Sequence, residues 1–161
     1  MPPSATHAGV VKADPSMELL KLFLLPLVVA LQELNDETFE HQTQASTGMT
    51  TGSWLVSFGL EGREGWEDAL EAVEEELREA YVIPAMVKDG KELWKRFGIK
   101  EPVALLFAKH KLYRYTGSKS STELLAFVRK ALDGELHGEQ IPPERSFLDK
   151  LWERFLGQGE L

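Results

Sequence analysis

At 161 residues the chain suits one domain with tails, and its 43% hydrophobic and 27% charged content is that of an ordinary globular protein. The net charge of −8 excludes a general nucleic-acid binder, which needs a basic face to release counterions, and argues against attraction to anionic lipid. The absence of cysteine removes disulfides, thiolate metal sites and thiol catalysis together, without fixing a compartment.

Residues 1–16 carry small polar residues and prolines with no periodicity and read as a disordered extension. Lys21 is followed by an apolar run from Leu22 to Ala30, with Val28 and Ala30 in the −3 and −1 places of a cleavage site. This is the form of a secretory signal peptide, and it is too short for the ~20 residues of a spanning helix. The expectation is a processed segment over 1–30, a mature chain from Leu31, and a location in the endoplasmic reticulum lumen or outside the cell. The alternative is a buried first element of the domain.

Leu31 to Leu34 alternates and predicts a short strand, and Asn35 or Asp36 can cap a turn of helix through Phe39. His41 to Gly52 is polar and reads as a loop. His41 has no partner at metal-ligand spacing, and neither a metal nor a cofactor is expected. Trp54-Leu55-Val56-Ser57-Phe58 has the composition of a buried strand. It breaks at Gly59, Gly62 and Gly65, and Trp66 opens a helix whose apolar face is Trp66, Ala69, Leu70, Val73, Leu77 and Ala80. The opposite face is acidic and reads as solvated. A strand, a glycine-bearing turn and a helix is where open α/β sheets place ligands. Yet the turn, Leu60-Glu61-Gly62-Arg63-Glu64, contains no cysteine, histidine, serine or threonine. Only Glu61, Arg63 and Glu64 could support acid–base chemistry there, through mutual pKa shifts.

Tyr81 to Val87 predicts the next strand, with Pro84 marking a bulge or a sheet edge. Asp89-x-x-Glu92 has the form of a capping box and starts a helix carrying Leu93, Trp94 and Phe97, stopped by Gly98. Val103–Ala108 and Leu112–Tyr115 flank a tight turn at Lys109-His110-Lys111 and predict an antiparallel hairpin. Ser120-x-x-Glu123 predicts a second capping box, for a helix with Leu124, Leu125, Val128, Ala131 and Leu132 inside.

This order predicts an α/β domain over 31–132, a mixed sheet flanked by helices. Residues 133–161 follow as a linker and an additional C-terminal amphipathic helix. Its apolar stripe holds Phe147, Leu148, Leu151, Trp152 and Phe155, and Pro142-Pro143 suits its start. The stripe either packs on its own domain or docks with a partner, giving a homo- or hetero-oligomer. Its charge-balanced polar face disfavours a membrane surface. The terminal Gln158-Gly159-Glu160-Leu161 departs from an endoplasmic-reticulum retrieval signal at two defining places.

The chain resembles the thioredoxin fold, and more closely the protein disulfide-isomerase family. The resemblance rests on Glu33-Leu34 with Phe39, on Trp54 to Phe58, and on Arg96-Phe97-Gly98-Ile99-x-x-Pro102. Leu105-Leu106-Phe107, Tyr113-x-Tyr115-x-Gly117 and Phe127-Val128 complete it. It implies a thioredoxin-like mixed sheet and a cis peptide bond before Pro102. The departures are in the chemistry. The C-x-x-C motif is missing, the interval from Phe58 to Trp66 is too short for the usual loop, and Ser57 stands where the family buries a carboxylate. Lys119 stands where an arginine often precedes the last helix. Thiol–disulfide exchange needs an attacking thiolate. The resemblance therefore implies a redox-inactive binding or chaperone-type module that meets a client polypeptide near Leu60, Trp66, Pro102 and Val103. A structural subunit docking through its C-terminal helix is the other expectation.

Overall fold

The computed structural model describes residues 31–47, 52–59 and 66–144, together with Leu156. The extension, the signal-like run and the apolar stripe of the C-terminal helix lie outside these residues. Six strands form one sheet: β1 Gln32–Leu34, β2 Ser53–Phe58, β3 Val82–Val87, β4 Val103–Ala108, β5 Lys111–Tyr115 and β6 Glu139–Gln140. Their order across the sheet is β1-β3-β2-β4-β5-β6. The pairs β1/β3 and β3/β2 are parallel, and the remaining three are antiparallel.

Among the described residues five helices flank this sheet: α1 Thr38–Thr43, α2 Trp66–Glu71, α3 Glu74–Glu79, α4 Lys91–Arg96 and α5 Ser121–Asp133. The alternation of β4 divides the core. Ala104, Leu106 and Ala108 face a cluster with Trp66, Leu70, Leu77, Leu124 and Val128. Leu105 and Phe107 face the other cluster, with Phe39, Phe58, Leu93 and Phe97. One side of the sheet is therefore filled from α2, α3 and α5, and the other from α1 and α4.

The expected hairpin forms, with Lys109 and His110 as its two-residue turn. Both have positive φ, 51° and 59°, which matches the twist of the flanking strands. Pro84 falls in an inner strand without a bulge, opposite Leu55. It is tolerated because β1 begins to pair only at Ala85, so β3 is still an edge on that side at Pro84.

Several local expectations are corrected. The helix predicted from Trp66 is two helices, broken at Ala72-Val73. The break puts Glu74, Glu75 and Glu76 in a new first turn, where the helix dipole favours negative charge. Helix α1 runs into the predicted loop as far as Thr43, whose hydroxyl donates to the Phe39 carbonyl at 2.8 Å. Neither capping box forms. Asp89 is replaced as the cap of α4 by Asp36, whose carboxylate accepts from the amides of Glu92 at 3.2 Å and Leu93 at 2.9 Å. The carboxylate arrives from another element, which no local motif encodes. Asn35 instead opens α1, accepting from the amides of Glu37 and Thr38.

The bond before Pro102 is also corrected: no cis peptide occurs among the described residues. Trans is the intrinsic preference of an X–Pro bond, and Pro102 here leads directly into β4. Finally, the stretch read as a linker contains β6, which adds to the outer edge of β5.

Candidate functional site

The carboxyl end of β2 meets the start of β4 in the register Phe58 opposite Val103. Around this end the chain leaves a cleft of about 370 Å³. One wall is the segment 98–103, the other is 114–117 at the end of β5, and Trp66 lies at the first position of α2 beside them. Three of the four residues expected at a binding surface, Trp66, Pro102 and Val103, therefore line one cavity. Leu60 lies outside the described residues, as do Glu61, Arg63, Glu64, Phe147, Leu148, Leu151, Trp152 and Phe155. Leu156, at the end of the predicted stripe, is helical and 66% exposed.

Each wall has a local cause. Gly98 ends α4 with φ +61°, and the Ile99 amide donates back to the Trp94 carbonyl at 2.8 Å, so the chain turns sharply out of the helix. On the other side, Gly117 lets the chain fold over the Tyr115 ring. A Cβ there would lie 2.5 Å from the Tyr115 hydroxyl oxygen, so any side chain would push the wall away. The Tyr115 hydroxyl donates to the Ser118 carbonyl at 2.7 Å and lies 3.4 Å from the Glu123 carboxylate. Burial, and next the Glu123 charge, push this phenol up from its ordinary pKa. The Ser118 hydroxyl, 2.7 Å from the carboxylate, holds Glu123 below the usual range.

Trp66 is only 6% exposed and packs edge-on against Tyr115, with ring centroids 5.7 Å apart. Its indole Nε1–H is buried and has no hydrogen-bond partner among the described residues. Trp66 is thus both a core residue and a wall of the cleft. Ser57, where the resemblance leads one to expect a carboxylate, is buried and uncharged, its hydroxyl 3.5 Å from the Ala85 carbonyl. Ile99, Pro102 and Val103 give the cleft an apolar side, and Lys100, Glu101 and Arg114 give it a charged one. Among the described residues, no group of acidic or histidine side chains could hold a metal ion. Sequence reading missed Arg114 and Tyr115 as site residues. The alternation Tyr113-Arg114-Tyr115 beside Gly117 was visible, but which wall it forms depends on the hairpin register.

No family model matches the sequence. Over 101 residues the chain is 38% identical to a thioredoxin domain-containing protein of Theileria parva, a match covering 58% of this chain and 44% of that protein. Among solved structures it superposes on chloroplastic thioredoxin z with a TM-score of 0.54 at 16% identity, covering 67% of this chain and 99% of the other. This is a thioredoxin-like domain. The J-Trx1 fragment of ERdj5 gives a TM-score of 0.52 at 18% identity, over 65% of this chain and 52% of the fragment. The first two thioredoxin domains of Naumovozyma dairenensis Eps1p give 0.53 at 18% identity, over 84% of this chain and 54% of the other. The chain spans less than half the length of its Theileria relative and about half of the two double-domain structures. The disulfide-isomerase-like expectation therefore holds at the level of the fold, and the thioredoxin-like domain carries no C-x-x-C motif.

Proposed function

We propose that this thioredoxin-like domain is a redox-inactive binding or chaperone-type module of the secretory pathway, and that its cleft receives a client polypeptide. The observation that carries the reading is the composition of the cleft. Its walls combine apolar side chains with charged and backbone groups, in a chain with no cysteine to act as nucleophile. A volume of about 370 Å³ is at the small end of ligand sites, ~300–1,000 Å³, and suits one or two side chains of an extended peptide. The secretory location is supported by the signal-like run from Leu22 to Ala30. Leu60, the remaining candidate, would extend the apolar wall.

Titration of a fluorescently labelled, unfolded polypeptide with the full chain tests the reading. Saturable binding in the micromolar range, weakened several-fold by Val103→Asp with the fold retained, is the expected result. No binding at high micromolar concentration counts against it. In an insulin-reduction assay the protein is expected to match buffer, and any turnover above that level would overturn the non-catalytic part.

The docking reading, in which residues 144–156 pair with another chain, is favoured by the exposure of Leu156. Removing residues 145–161 separates the two. An oligomer that becomes a folded monomer supports assembly, and a size unchanged from an initial monomer removes it.

A further inference from the structure

The stretch 138–142, which follows the end of α5 and reads as linker and lead-in by composition, is fastened to the domain at every residue, by four devices. Gly138 comes so close to β5 that a Cβ there would sit 2.7 Å from the Lys111 Cβ and 2.8 Å from the Tyr113 ring. Glu139 and Gln140 pair with Leu112 and Lys111. Ile141 packs against the α1/α4 cluster. The Pro142 carbonyl accepts from Arg96 Nε at 3.0 Å and Nη2 at 2.9 Å.

Arg114 joins this segment to the cleft. Its Nε donates to both oxygens of the Glu139 carboxylate, at 3.2 and 3.1 Å. Its Nη2 donates to the Phe97 carbonyl at 2.6 Å. Phe97 immediately precedes the 98–103 wall, and Arg114 itself belongs to the opposite wall. One guanidinium therefore links the C-terminal segment and both sides of the cavity.

We propose that residues 138–142 are a strap that closes the β5 edge and, through Arg114, sets the rigidity of the cleft wall at 98–103. Drawing the strap away, as a partner engaging the chain beyond it would do, loosens that wall. The strap is short, with two paired residues and an ion pair whose carboxylate side chain is half exposed, so its release is a low-energy local opening rather than unfolding. The inference does not depend on what the cleft holds.

Amide hydrogen exchange on the full chain tests it, with the Ile99 amide as reporter of the wall. Glu139→Gln is expected to speed exchange in the β5–β6 pair and at Ile99 by about threefold or more, the scale of one exposed ion pair, leaving β2 and β4 unchanged. Arg114→Gln should reproduce the effect at Ile99, and adding Glu139→Gln to it should add nothing, because both act through one link. Arg96→Lys keeps the charge beside Glu40 but loses the fork on Pro142, and should release the strap from its other end. Faster exchange in the strap with none at Ile99 overturns the coupling, as do additive effects of the two substitutions. A strap unchanged in both Glu139→Gln and Arg96→Lys overturns the strap itself.

Discussion

The two sides of the sheet are closed in different ways. On the α1/α4 side, Phe39, Phe58, Phe97 and Phe107 meet edge to face, with centroids 5.3 to 5.9 Å apart. Arg96 lies over the Phe97 ring at 4.9 Å and binds Glu40 at 2.8 Å. On the other side the core is largely aliphatic, and its aromatic row of Trp66, Tyr115 and Phe127 ends beside the cleft. The first side is closed by aromatic packing and a partnered ion pair. The second ends at Trp66 and Tyr115, which border the cleft. The first side carries the ring cluster and the ion pair, while the cleft takes Trp66 and Tyr115 from the second side and Ile99 and Val103 from the first, so substitutions in the ring cluster and in the cleft should behave differently.

The largest effect should come from Phe97→Ala. Phe97 touches three other rings and carries the Arg96 guanidinium, and truncating a buried phenylalanine costs about 3–5 kcal/mol. Against a typical stability of about 5–15 kcal/mol, urea melts should show a greatly lowered midpoint. A loss below about 1 kcal/mol would mean that the aromatic side is not the stabilising one.

Next in size is Glu40→Ala, which leaves the nearly buried Arg96 side chain, 6% exposed, without its carboxylate. Breaking such a pair from one side costs about 3 kcal/mol. Burial pushes the Glu40 carboxyl up, but hydrogen bonds from Ser46 and Arg96 outweigh it and hold the group below its ordinary range. A carboxyl depressed in the folded state adds stability that is fully present above its unfolded pKa, about 4.3 for glutamate. That stability is lost as pH falls through the folded value. Wild type should therefore lose stability on acidification below about pH 4.3 more steeply than Glu40→Ala. Parallel acid profiles would show that the pair is not coupled to folding.

Gly138→Ala should cost about 1–3 kcal/mol through overpacking, since its new methyl would meet the Lys111 and Tyr113 side chains. A neutral result would mean that the segment yields freely, which would weaken the case for a strap.

These residues also show what could be read from the sequence. The strands, the hairpin and both core faces were legible because they depend on local period and composition, as in Val103–Ala108. Of the four residues expected together, Trp66, Pro102 and Val103 do line one cleft, because the end of β2 and the approach to β4 converge in any sheet of this order. The Asp36 cap on α4 and the Arg96 hold on Pro142 were not, since each joins residues far apart in sequence. The strand at Glu139–Gln140 was hidden for a related reason. Two residues have no detectable period, and their pairing depends on Gly138 fitting against β5.

The smallest stability effect is expected for Trp66→Phe, and the contrast is with alanine at the same position. Trp66→Ala should cost about 3–5 kcal/mol, as for any large buried ring. Trp66→Phe removes the indole N–H, which lies buried without a partner among the described residues; an unmet donor of this kind carries a desolvation penalty of about 1–3 kcal/mol. It also removes ring volume, and the cavity left behind opposes that gain. The two terms offset, so the phenylalanine variant should melt within about 1 kcal/mol of wild type. Under the proposed function polypeptide binding should nevertheless change, because Trp66 lines the cleft. If Trp66→Phe loses as much stability as Trp66→Ala, the indole is an ordinary core residue whose full volume is needed, and the offset between the lost ring volume and the removed donor fails.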